Sequence, residues 1–175
     1  MNEVAVNPVS GLSVPLERDL FLRSLLRELA GTLETVVGIE ESAGFISIVG
    51  QRIGDQIGSD YRAALQTDRL TPQQLGEVLV DLKRRIEGTF SIVEHDHRRI
   101  VFQNTQCPFA DKVLDRPSLC MMTSNVFGTI AAHTAGRARV VLEQTIAQRH
   151  GHCRVVLYLG DASADQSGGR EYFNT

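Results

Sequence analysis

Three cysteines, Cys107, Cys120 and Cys153, are the residues whose chemistry reaches furthest in this 175-residue chain. Thiolates are soft ligands that favour zinc, cuprous ion or iron-sulfur clusters. Twelve residues separate the first two cysteines and thirty-two the next, so none forms the closely spaced ligand pair of a zinc knuckle. A shared site would have to be assembled by the fold. Each cysteine stands at an expected junction: Cys107 follows a strand in Asn104-Thr105-Gln106-Cys107-Pro108-Phe109, Cys120 lies in the first turns of a helix, and Cys153 opens the final strand. Such positions can aim distant sulfurs at one point. The plainer alternative is that the thiols are buried as small hydrophobes.

Three thiols leave one coordination position. Structural zinc closes with four ligands, whereas an iron-sulfur cluster held by three cysteines keeps an open iron that an effector can attack. The fourth-ligand candidates are His150, His152 and His133, with Glu143 on the neighbouring strand. His95 and His97 flank Asp96 between apolar strands and read as a polar turn. Catalysis has no support: Gly-x-Ser-x-Gly, a phosphate-binding glycine loop and His-Glu-x-x-His are all missing from the sequence. An apolar pocket lined by Met121, Met122, Phe127 and a glycine-rich helix is a further reading, against plain core packing.

Periodicity supplies the elements that must position these groups. Leu20, Phe21, Leu25, Leu29, Leu33 and Val36 recur at helical spacing between Glu17 and Val37, with Gly38 as a stop. A second helix is expected from Glu40 to Leu65 on a stripe of Phe45, Ile46, Val49, Ile53, Ile57 and Tyr61. Its glycines Gly44, Gly50, Gly54 and Gly58 suit close approach of another helix, within the fold or across a dimer. Thr71 and Pro72 open a third helix that runs to Ile86. A hairpin around residues 90–102, a helix from Arg116 to His133, and a second hairpin from Ala138–Ala147 and Cys153–Leu159 follow. This order predicts an α+β fold, with N-terminal helices packed on one face of a small antiparallel sheet. Residues 1–16 and 161–175 read as a flexible leader and tail around a single domain over 17–160.

Composition sets the outer bounds. The chain is 42% hydrophobic with net charge −3 and a pI near 5.9, which describes a soluble globular domain and argues against a dedicated nucleic-acid binder. No apolar run is long enough to span a membrane. The odd cysteine count makes no closed disulfide framework and points to a reducing, cytoplasmic setting.

Cys107-Pro108-Phe109, Arg116-Pro117-Ser118-Leu119-Cys120 and Gly151-His152-Cys153-Arg154-Val155 together resemble the sensor half of the iron-sulfur-sensing SUF-operon repressors. The region from Arg18 to Leu159 is similar to the methanogen output domain 1 group, itself similar to the V4R (4-vinyl reductase) domains, through Phe21–Gln51 and Arg116–Gly128. The resemblance implies a V4R-like sensor in which Cys107, Cys120 and Cys153 hold an iron-sulfur cluster, 4Fe-4S first, with structural zinc as the alternative. It further implies a homodimer that answers redox state, a gas or a small apolar effector and signals to a protein partner. The repressors carry a helix-turn-helix before the sensor; the short leader here leaves no room for one, so direct DNA binding is not expected.

Overall fold

A computed structural model describes residues 12–164 and 167–174. Its elements run α1 (Arg18–Val37), α2 (Ile39–Ala64), α3 (Pro72–Arg84), β1 (Ser91–His95), β2 (Arg99–Asn104), α4 (Cys120–Ala135), β3 (Arg137–Gln144), β4 (Cys153–Leu159) and β5 (Arg170–Phe173), with short 3-10 turns between. The five strands form one antiparallel sheet in the order β1-β2-β4-β3-β5. The expected α+β class is the observed one.

Alternation along the strands decides what faces the helices. Ile100, Phe102, Val155, Leu157, Leu159, Ala138 and Val140 are buried against α3 and α4 in the main core, as period-2 side-chain direction requires. Phe127 of α4 stacks edge-on against Phe90 and Phe102. The helix α4 is apolar on all sides, and Ser124 through Ala132 are buried without a break. It lies in the middle, between the sheet and α2. The small residues of α2 make this possible: a Cβ on Gly50 would stand 2.8 Å from Asn125 Cβ, and one on Gly54 would stand 3.0 Å from Thr129 Cβ. The glycine face therefore packs within the fold.

Several boundaries differ from the sequence expectation. The helix expected from Arg116 begins at Cys120, because Pro117–Leu119 form a 3-10 turn first. The strand expected to run to Ala147 stops at Gln144, where Thr145 caps a second such turn. Beyond Leu159, in the segment expected to be a flexible tail, β5 pairs with β3 and sends Tyr172 into the core. The Tyr172 ring occupies the space over Gly128 on α4. Val49, Ile53 and Phe45, expected in the core stripe of α2, are exposed, and Ile46 is the buried member. Along α1 only Ala30 is buried. Residues 12–16 of the expected leader are exposed coil, and residues 1–11, 165, 166 and 175 lie outside the described residues. No described helix is long and apolar enough to cross a membrane.

Candidate functional site

The three cysteines come to one place. Cys107 follows β2, Cys120 is the first residue of α4, and Cys153 is the first residue of β4. All three line a cavity of about 460 Å³, within the range of small-molecule sites. The cavity sits between two cores. Cys153 packs on the main one, and Cys107 and Cys120 pack on a smaller cluster of Ala30, Ile46, Val113, Leu119 and Ala147. Met122 touches both. From α1, Asp19, Leu22, Arg23 and Leu26 complete the wall.

Local structure explains each thiol's position. Strand pairing sets Cys153 directly opposite Asn104, and the Asn104 amide Nδ2 donates to Cys153 Sγ at 3.9 Å. The Ile146 backbone N–H donates to the same sulfur at 3.4 Å. Asn104 is held in turn by its Oδ1, which accepts from the backbone N–H of Thr89 at 2.9 Å. Burial pushes the Cys107 thiol up, and pushes Cys120 up to about 12 with help from its cysteine neighbours. Both stay protonated at neutral pH.

Lys83, which sequence reasoning passed over, is the charged group at the centre. It is 4% exposed and lines the cavity. Its Nζ donates to Thr123 Oγ1 at 2.8 Å and stands 5.3 Å and 5.4 Å from the ring centroids of Phe90 and Phe127. Burial lowers its pKa from 10.5 to about 8, opposed in part by the three cysteines. The signal was legible: Lys83 falls four residues after Leu79 and eight after Leu75, on the buried face of α3. Asn104 is similar, two residues past Phe102 on the inward face of β2.

The proposed fourth ligands are not brought to this place. His133 Nε2 pairs with Asp55 at 3.0 Å, Glu143 pairs with Arg154 at 2.9 Å, and His150 Nδ1 accepts from the Thr145 backbone N–H at 3.3 Å. None of these, nor His152, lines the cavity. Among the described residues no group of three or more His, Cys, Asp or Glu is gathered to hold a metal ion. The expected apolar lining is also revised. Met122 faces the cavity, but Met121, Phe127 and the α2 glycines do not. His95, Asp96 and His97 form an exposed turn in which Asp96 accepts from the backbone N–H groups of Arg98 and Arg99.

The fold is shared with solved structures of low sequence identity. The phenol-responsive sensory domain of the transcription activator PoxR, solved with phenol, superposes with a TM-score of 0.61 at 15% identity, over 89% of this chain and 85% of that one. An Fe(II) unliganded H-NOX protein from K. algicida, solved as a mutant, gives 0.57 at 13% identity, over 89% of this chain and 80% of that one. No curated protein matches the sequence. The family model for methanogen output domain 1 matches residues 25–158, which bears out that part of the resemblance and does not extend to the V4R domains or the SUF repressors. This span holds α2 through Tyr158 of β4 and all three cysteines, and on it the chain belongs to the methanogen output domain 1 family.

Proposed function

We propose that this chain is a regulatory sensor domain whose cavity takes a small molecule and reports its occupancy through α1. The observation that carries the reading is the cavity itself: about 460 Å³, walled mainly by apolar side chains, with a small set of polar groups in its lining. The output element is α1, because it closes one side of the cavity yet is docked by polar contacts. Arg27 donates to the carbonyls of Lys112 and Leu114 at 2.8 Å and 2.7 Å, and Glu34 accepts from Ser118. A wall held this way can shift with little apolar surface lost. We take the working form to be a homodimer that signals to a protein partner, with no nucleic-acid contact of its own.

The chain has no tryptophan, so Leu22→Trp places a single reporter in the α1 wall. Small aromatic and branched apolar compounds, neutral and acidic, are expected to raise the melting temperature of the wild type and to shift the emission of this variant. Stabilisation of about 3 kcal/mol is expected at a hundredfold excess over Kd. Silence in both assays across the panel at millimolar concentration would remove the reading.

A second reading rests on the three thiols that share the wall. Soft sulfur donors suit an iron-sulfur cluster or zinc, but the fit differs. Zinc needs a compact tetrahedral set, and the residues offered for its fourth position are engaged elsewhere. A 4Fe-4S cluster is larger than one ion and can be held by three protein thiolates with one iron left open. Cys107, Cys120 and Cys153 would hold it, and it would supply a centre sensitive to oxidation or ligand attack. Protein purified without oxygen decides between the readings: broad visible absorbance with iron and sulfide supports the cluster, whereas colourless, metal-free protein that binds small molecules rejects it.

A further inference from the structure

The cavity carries a buried positive charge that no carboxylate balances among the described residues. Lys83 has a single hydrogen-bond partner, the hydroxyl of Thr123, and no carboxylate pairs with it among the described residues. An ammonium has three donors. The remaining two meet only the faces of Phe90 and Phe127 and the cavity. Leaving a buried cation without a counter-charge is strongly destabilising in general, and aromatic faces compensate it only in part. A second polar atom repeats the pattern: Arg23 Nε, in the α1 wall of the same cavity, is buried with no hydrogen-bond partner. Its terminal nitrogen is already taken by Asp19. The other charged groups of the lining are Asp19, whose carboxylate is engaged by Arg23, Arg85, which is paired with Asp81 at 2.6 Å, and Glu87, which is exposed.

We propose that the ligand of this cavity is a small carboxylic acid with an apolar body, bound as its carboxylate to Lys83 Nζ with Arg23 Nε as a second donor. This rests on the small-molecule reading above. The apolar body is asked for by Leu22, Leu26, Phe109 and Val155, and the negative head by the two donors that the protein leaves unmatched. A neutral ligand of the same shape would fill the same volume but leave Lys83 as costly as before. The discrimination therefore belongs to one charge.

Calorimetric titration of the full chain at neutral pH with benzoate and 3-phenylpropionate, against benzamide and 3-phenylpropionamide, tests this. Each acid should bind at least about tenfold more tightly than its amide, the range of a hydrogen bond to a charged group. In Lys83→Met the acids should lose that advantage while the amides keep their affinity. Amides that match the acids on wild-type protein, or acids that bind Lys83→Met unchanged, overturn the anion assignment and leave the cavity as a site for neutral molecules. Failure of both acids and amides, together with silence of the wider panel above, removes the small-molecule reading itself. Because the wild-type comparison needs no variant, the test holds even where Lys83→Met does not fold, and Arg23→Gln, at a half-buried surface position, should weaken the acids alone by a few-fold.

Discussion

Lys83 shows how one side chain can make stability and binding oppose each other. Its pKa is lowered by burial from 10.5 to about 8, so between those values the unfolded chain holds more protons than the folded one. Stability then rises with pH, because the folded protein no longer has to bury a charge. Below about 8 the full cost is present. The thiols act in the reverse sense: Cys120 is pushed from 9.0 up to about 12 and Cys107 is also raised, so above the ordinary thiol range the folded state holds the extra protons and stability falls. The window that belongs to the lysine is therefore from about pH 8 to 9. Over it, the wild type should gain on the order of 1 kcal/mol per pH unit relative to Lys83→Met, a rise of about 2–4 °C in relative melting temperature. Equal slopes for the two proteins by scanning fluorimetry would show that burial does not lower the Lys83 pKa. Lys83→Met should itself be the more stable protein near neutral pH, since an apolar side chain of similar length replaces an uncompensated charge.

Among the elements, α4 is the axis on which the others are stacked, and glycine makes the stacking possible. Tyr172 of β5 lies over Gly128, where a Cβ would come within 2.0 Å of its ring, and its hydroxyl shares a hydrogen bond with Ser124 at 2.8 Å. Gly128→Ala should therefore expel the Tyr172 ring and loosen β5 from β3, at a cost of about 1–3 kcal/mol typical of overpacking. Removing the ring as well, in Gly128→Ala with Tyr172→Ala, should cost less than the sum of the two single changes; simple additivity by denaturant unfolding would mean that ring and helix do not meet. These contacts also mark what the sequence could and could not reveal. The period-2 strands Ile100–Phe102 and Val155–Leu159 and the capped α3 were legible, because alternation and a Thr-Pro start act locally. The strand β5 was not: Arg170–Phe173 follows Ser-Gly-Gly, and its place is decided by a remote glycine on α4. The same division runs through the site. Cys107, Cys120 and Cys153 could be placed at element ends from the sequence, and the structure brings them to one cavity. The fourth-ligand candidates failed because His133, Glu143 and His150 found nearer partners, and Lys83 was missed because a lysine on an apolar stripe is read as solvated unless the whole face is counted.

For the molecule as a whole, α2 is turned inside out relative to a lone globular domain. It buries Gly50, Gly54 and Gly58 against α4 and leaves Phe45, Val49 and Ile53 in solvent at 53%, 49% and 40% exposure. On α1, Phe21, Leu25 and Leu29 are exposed as well. Scattered apolar residues need no explanation, but contiguous patches of several hundred Å² mark interfaces. The exposed apolar residues run from Phe21 to Val36 on α1 and from Ile39 to Ile53 on α2, about 24 and 22 Å of helix, so strips roughly 10 Å wide along both give an area of about 450 Å², the size of patch that marks an interaction site. In the homodimer proposed above, a second copy of this chain would satisfy that need, since it would bring an equal apolar face of its own and a two-fold axis pairs like patches. Such an interface would also give the cavity a route outward. Leu22 and Leu26 line the cavity from α1 while Leu25 and Leu29 lie exposed on the same helix, so a ligand that moves α1 must alter the contact between copies, and dimerisation must alter affinity by the same factor. Light scattering should accordingly give twice the 19.3 kDa chain mass, and the paired substitution Val49→Glu with Ile53→Glu, at exposed positions outside the core, should yield a folded monomer. A wild type that runs as a monomer at tens of micromolar would reject the self-association. A dimer that survives both glutamates would place the interface away from α2.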